Sequence, residues 1–213
     1  MTVIKETRDF IVCIKPAGVV SQSDEGENMV TLLGECTGST VYPVHRLDRE
    51  TAGVMVFAKT REAAASLSEQ VLSGRMQKRY YAVTRAGLRP ESGVMEDLLF
   101  RDKSKNKTYV VKRERKGVRR ASLEYSLACE KDGYALWDIL LHTGRTHQIR
   151  AQFSSRGFPL CGDRRYGGEK AENTGLFAYS LEFINPAGGE KESFTAKPQT
   201  DEGPFSLFGE YFL

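Results

Sequence analysis

HRLDRETAGVMVFAKT, residues 45–60, sets out a charged loop, a strand and a helix start in a single run. His45, Arg46 and Arg49 surround one aspartate, Asp48, and Thr51-Ala52-Gly53 makes a turn. VMVFAK (54–59) then reads as a buried β-strand, since β-branched and aromatic side chains suit a pleated sheet. Thr60 can cap a following helix, in which Ala63, Leu67 and Val71 recur at spacing four and Gly74 supplies the stop.

The same strand signals appear on both sides. FIVCIK (10–15) precedes the motif, and residues 80–84, 107–113 and 122–128 read as further strands. YALWDILL (134–141) reads as a buried strand, HTGR as a turn, and THQIRAQFSS (146–155) as a helix with Ile149 and Phe153 facing the core, ended by Gly157 and Pro159. CGDRRYGGE (161–169) reads as a loop, residues 176–184 as another strand, and SQSDEGEN (21–28) as an exposed polar loop. Strands dominate without strict βαβ alternation, which predicts an α+β fold around a largely antiparallel sheet.

At 213 residues the chain suffices for one large domain or two half-domains. Hydrophobic content of 40% with 28% charged residues is that of a soluble globular protein, and argues against wholesale disorder. Apolar runs stay far below a membrane span, and the start MTVIKETRDFIVC lacks a signal-peptide layout, so a cytoplasmic location is expected. Cys13, Cys36, Cys129 and Cys161 lie far apart, which predicts reduced, mostly buried thiols and neither disulfides nor a zinc site.

Net charge is only +3, but its distribution is uneven. RDKSKNKTYVVKRERKGVRR (101–120) holds ten basic residues against Asp102 and Glu114, a local +8. Such a patch fits either a solvated hairpin or a contact with a polyanion.

Several residues could carry chemistry. Asp48 sits on a loop entering the core, where a carboxylate needs a cation or donors to stay ionised. It could be a turn-forming or ion-paired structural residue as readily as a catalytic one. In GRTHQIR (144–150), Arg145 falls between a strand and a helix, where a guanidinium can grip a carboxylate or a phosphate through paired donors. His45, His142 and His147 show no metal-ligand spacing. In KRYYAV (78–83), Tyr80 and Tyr81 would point to opposite faces of a strand, so that one could enter a cleft.

The order KPAG (15–18), HRLDRETAGVMVFAKT, KRYYAV, LHTGRTHQIR (141–150) and GDRRYGG (162–168) resembles the RluA-type RNA pseudouridine synthases. The resemblance runs from about residue 10 to 186 and implies the pseudouridine synthase fold: an α+β domain whose central sheet is flanked by helices and crossed by a catalytic cleft. It implies an isomerase that detaches uracil from ribose in RNA, rotates it and rejoins it through carbon, with no cofactor and no metal. By motif position Asp48 is the indispensable aspartate, Arg145 the arginine that pairs with it, and Tyr80 the ring that stacks on the extruded base. Whether Asp48 attacks the anomeric carbon or releases uracil through a glycal stays open. Lys15, His45, Arg46 and Arg150 are expected to contact RNA, as are Lys112, Arg113, Arg115 and Lys116 of the basic stretch. One departure is mild: Ala52 stands where the family pattern has serine. The resemblance also implies a single catalytic domain over residues 1–213, acting as a monomer on ribosomal or transfer RNA without a separate N-terminal RNA-binding domain. A catalytically silent RNA-binding protein and a glycosidase are the competing readings, although a glycosidase normally needs two placed carboxylates.

Overall fold

A computed structural model describes residues 1–23 and 26–213, so that Asp24 and Glu25 of the polar loop at 21–28 lie outside the described residues. The elements in chain order are β1 (Thr2–Glu6), β2 (Phe10–Lys15), α1 (Met29–Thr37), β3 (Tyr42–Pro43), β4 (Ala52–Ala58), α2 (Arg61–Leu72), β5 (Gln77–Arg85), β6 (Ser92–Asp102), β7 (Lys107–Val111), β8 (Val118–Lys131), β9 (Tyr134–Leu141), α3 (Gln148–Ser155), β10 (Leu176–Ile184) and β11 (Lys191–Thr195). Short 3₁₀ turns cover Arg164–Tyr166 and Ser206–Phe212. The fold is α+β, and the chain falls into two compact units, Met1–Lys78 with Ala178–Ala196, and Arg79–Phe177 with Lys197–Leu213.

In the first unit β1, β2, β4 and β10 lie side by side, with β3 on β4 and β11 on β10. β2 runs antiparallel to β4, placing Phe10 opposite Ala58 and Lys15 opposite Gly53. Alternate residues Phe10, Val12, Val54, Val56, Leu181 and Phe183 form one core layer, which Ala63 and Leu67 of α2 cover. Thr60 caps α2 by accepting from the Ala63 amide at 3.1 Å. Helix α1 is capped by Asn28, whose side chain accepts from Val30 N while Thr31 Oγ1 accepts from Asn28 N. Gly53 is obligatory, because its φ is +136° and a Cβ there would lie 2.3 Å from the Ala178 carbonyl oxygen.

In the second unit the order is β5-β9-β8-β6-β7, antiparallel throughout. Trp137 of β9, Tyr125 of β8 and Phe153 of α3 meet edge to face at 5.6–6.0 Å. Ile149 and Phe153 are buried as their spacing predicts. Helix α3 begins at Gln148, two residues later than expected, because His147 adopts a left-handed φ of +53° and breaks the helical path. β8 is twice as long as the reading of 122–128, and β7 ends at Val111.

Among the described residues no helix is long and apolar enough to cross a membrane. The four cysteines are free thiols; Cys13 and Cys161 are buried, whereas Cys36 is exposed. Burial pushes the Cys13 thiol up to about 12 and that of Cys161 up to about 11, so neither is a ready nucleophile.

Candidate active site

Asp48 lies half-buried on the loop that leads into β4, and the first unit fixes that loop from several directions. The Asp48 carbonyl accepts from Thr51 N at 3.0 Å, closing a turn. The residue before it is clamped by Ser21, whose hydroxyl accepts from Leu47 N at 3.0 Å and donates to Leu47 O at 2.9 Å. The residue after it, Arg49, exchanges bonds with Gly18: Gly18 N donates to Arg49 O at 2.8 Å and Arg49 Nε donates to Gly18 O at 2.9 Å. Beneath these, Lys15 is fully buried, and its ammonium donates to the carbonyls of Pro16, Val19 and Arg49 at 2.8, 2.6 and 3.1 Å. Burial pulls Lys15 down to about 8, against which the nearby charges of Asp48 and Glu50 hold its proton on. The KPAG and HRLD motifs are thus one structure, a carboxylate loop seated on a buried cation.

His45 serves the same loop. Its Nε2 accepts from Val56 N at 3.1 Å, so its proton sits on Nδ1, which has no partner among the described residues. Burial first, and then the charge of Lys78, lowers its pKa to about 3, so the ring stays neutral. Lys15 and His45 therefore do not meet RNA phosphates as the motifs suggested; both face inward. Arg46 is exposed.

In the second unit Tyr80 lies in the middle of β5, 6% exposed and opposite Ile139. Tyr81 takes the other face, with edge contacts to Tyr211 and Phe212 at 6.0 and 5.2 Å. Arg145 is on the turn after β9, and Gln148 builds that turn. Its Oε1 accepts from Thr143 Oγ1 at 2.8 Å and from Arg145 N at 3.0 Å, while its Nε2 donates to Ser122 O at 3.1 Å. Arg145 Nε donates to Arg120 O at 3.1 Å, so this exposed side chain leaves a fixed base. His147 Nδ1 pairs with Tyr166 Oη at 3.0 Å, and Tyr166 accepts from Thr108 N at 2.8 Å, tying the Arg145 turn to β7.

Arg150 is not an RNA contact either. Its Nε and Nη2 reach Asp163 Oδ2 and Oδ1 at 2.6 and 2.8 Å, with the two side chains only 6% and 1% exposed. This forked pair joins α3 to the GDRRYGG turn. The basic stretch 101–120 also differs from a single hairpin: it comprises two connections, residues 103–106 and 112–117, at opposite ends of the five-residue edge strand β7. Lys112, Arg113, Arg115 and Lys116 are exposed on the second, where Arg115 lies 4.4 Å from the Phe100 ring centre.

Sequence reading missed Ser21, Gln148, Thr108, Tyr166 and Asp163 as builders of these turns. Gln148 and Tyr166 stood inside quoted motifs, but the bonds of Gln148 to Ser122 and of Tyr166 to His147 and Thr108 reach 19 to 58 positions along the chain. No group of metal-ligating side chains gathers among the described residues.

KPAG with HRLD, and GRTHQIR, thus each build a fixed turn, the first in the first unit and the second in the second. Residues 9–155 match the family described as RNA pseudouridylate synthase, and the chain belongs to that family, whose members convert uridine to pseudouridine in RNA. An uncharacterised RNA pseudouridine synthase of Aquifex aeolicus is 32% identical over 236 residues, covering 99% of this chain and 74% of the relative. Ribosomal large subunit pseudouridine synthase D of Neisseria meningitidis is 35% identical over 219 residues, covering 92% of this chain and 58% of its own length. The chain thus spans about three quarters or less of these relatives. In structure it is similar to human RNA pseudouridylate synthase domain containing 4, with a TM-score of 0.77 at 22% identity over 93% of this chain and 88% of that one. Human RNA pseudouridylate synthase domain containing 1 gives a TM-score of 0.78 at 20% identity over 92% and 83%. These two show the shared fold.

Proposed function

We propose that this protein isomerises uridine to pseudouridine in ribosomal or transfer RNA as an RluA-type synthase, with Asp48 as the catalytic carboxylate. In this reading the N1–C1′ bond of the target uridine breaks, the uracil turns within the site, a C5–C1′ bond forms and the C5 proton leaves. The product is an isomer, so no oxidant, reductant or cofactor enters the balance. Arg145 opposes and aims the Asp48 charge, and Tyr80 stacks on the extruded base; extrusion itself costs a few kcal/mol. Arg46 with Lys112, Arg113, Arg115 and Lys116 meets the RNA backbone. Residues 1–213 act as one catalytic domain, as a cytoplasmic monomer.

The observation that carries the reading is the Asp48 loop itself. A half-buried carboxylate is held by Ser21, Gly18 and Lys15 through its chain neighbours, an investment of buried polar groups out of scale with a surface turn. A silent RNA-binding protein would need no such loop. The test is a carbodiimide-based pseudouridine map of RNA from cells lacking the gene, complemented by wild type or by Asp48→Asn. Wild type should restore at least one lost site and Asp48→Asn none, while the variant still binds RNA. An unaltered map in the deletion strain, or full restoration by Asp48→Asn, would overturn the proposal.

A further inference from the structure

The connection 103–106 lies at the end of β7 away from residues 112–117, and it has its own neighbour. β7 has five residues, which at a strand rise of about 3.4 Å sets the two connections roughly 17 Å apart. At the 103–106 end, Arg165 Nη1 donates to Asn106 O at 2.6 Å, so the GDRRYGG turn abuts the β6–β7 turn. This brings Lys103, Lys105, Lys107, Arg164 and Arg165 onto one surface, all exposed except the half-buried Lys107.

Two features separate this cluster from ordinary surface charge. First, among the described residues none of the five forms an ion pair, whereas Arg75, Arg79, Arg85, Arg89, Arg120 and Arg156 all do. The one acid in the turn, Asp102, is spent on its geometry, accepting from Ser104 Oγ at 2.7 Å and from Lys105 N at 3.1 Å. Second, the scaffold is rigid. Asn106 is held in a left-handed conformation, and Lys107 lies between two rings, 5.6 Å from the centre of Tyr109 and 5.0 Å from that of Tyr166. Five like charges offset in the turn only by Asp102, which acts on Lys105, leave a net positive surface whose counterions a polyanion would release on binding.

We infer that the β6–β7 turn and the Arg164–Arg165 turn together form a second phosphate-binding surface, which grips the RNA backbone at a distance from the 112–117 loop. This rests on the reading of the protein as an RNA isomerase. RNA then contacts both ends of β7, which a structured RNA can do and a single nucleotide cannot. Tyr109, at the exposed middle of β7, lies between the two cation groups.

The experiment compares wild type with a Lys103→Gln, Lys105→Gln, Arg164→Gln, Arg165→Gln variant, using anisotropy of a fluorescein-labelled unmodified RNA stem–loop at several salt concentrations. Each phosphate contact adds about 0.7 to the slope of log affinity on log salt for single strands, so the variant's slope should fall by up to about 3. Between 50 and 200 mM salt wild type should then lose up to about 50-fold more affinity than the variant. Because Arg165 also bonds Asn106, the Lys103→Gln, Lys105→Gln pair repeats the test at about half that slope change. An Arg61→Gln, Lys191→Gln pair on the other unit serves as control. An unchanged slope in both patch variants, or an equal fall per charge in the control, overturns the inference. The cellular pseudouridine map is scored beside it: a site restored by wild type with an unchanged variant slope sinks only this surface, and an unaltered map in the deletion strain sinks the isomerase reading.

Discussion

Arg150 decides between two uses of the GRTHQIR cations. As an RNA ligand it would contribute affinity; as observed, its fork is engaged with Asp163 inside the second unit. In Arg150→Met the side-chain volume is roughly kept, but the Asp163 carboxylate, 1% exposed, loses its cation. Breaking a buried pair from one side costs about 3–5 kcal/mol, because a charge is left without compensation. The guanidinium also covers the Tyr166 ring, with its carbon 5.1 Å from the ring centre, so the turn at 163–168 loosens as well. At a urea slope of about 2 kcal/mol/M, the unfolding midpoint should fall by about 1.5–2.5 M. The double variant Arg150→Met, Asp163→Leu removes both charges and should recover most of that loss, since a well-packed apolar pair is commonly neutral relative to a buried ion pair.

The assay is urea unfolding of the two variants beside wild type, with the salt slope of RNA affinity measured where each is folded. A structural Arg150 leaves that slope unaltered. A phosphate ligand would lower it by about 0.7 per contact. A normal urea midpoint together with a reduced salt slope would refute the burial argument and return Arg150 to the RNA contacts.

Lys15 gives a pH prediction. Its folded pKa of about 8 lies below the unfolded 10.5, so between those values the unfolded chain binds more protons and this group's contribution to stability rises with pH. The stability difference between wild type and Lys15→Met should therefore shift by up to about 3 kcal/mol in favour of wild type from pH 8 to 10.5; a flat difference would contradict it. Gln148→Leu strips Arg145 N and Thr143 Oγ1 of their acceptor, and turnover at saturating RNA should drop about a hundredfold as the turn shifts, with unaltered turnover arguing that Arg145 needs no such base. Thr84→Val removes the acceptor of Trp137 Nε1, 2.8 Å away, and should cost about 1–3 kcal/mol. Trp137 is the protein's single tryptophan, so its emission reports the change directly, and an unmoved spectrum and melt would show the bond to be dispensable.

What the sequence made legible was whatever is local. β2, β9 and β10 are largely apolar runs rich in β-branched and aromatic residues, and α2 has both its cap and its four-residue period, so each stood out at the correct place. β6 did not, because the face that buries Met95 and Leu99 also carries Asp97. That carboxylate accepts from Gln152 at 2.7 Å and Arg156 at 2.8 Å, partners more than fifty residues away, and breaks the two-residue alternation. α1 lacked a signal for a similar reason: it buries only Met29 and Leu33, too little for a periodic stripe. Motif order drew attention to Asp48, Tyr80 and Arg145, but could not show which of the neighbouring cations are buried.

The sorting of those cations follows from burial, and it changes what the charges of HRLD and KPAG can do. Arg46 and Arg49 flank Asp48 in sequence, yet both are exposed, and Arg49 spends its Nε on Gly18 O. The buried cation is Lys15, thirty-three positions upstream, whose three carbonyl partners include the residue next to Asp48. At a pKa of about 8 it is roughly nine-tenths protonated at pH 7. A cation so placed restrains the loop through its bond to Arg49 O. The Asp48 loop is therefore restrained from within the first unit without consuming Arg46, which stays exposed.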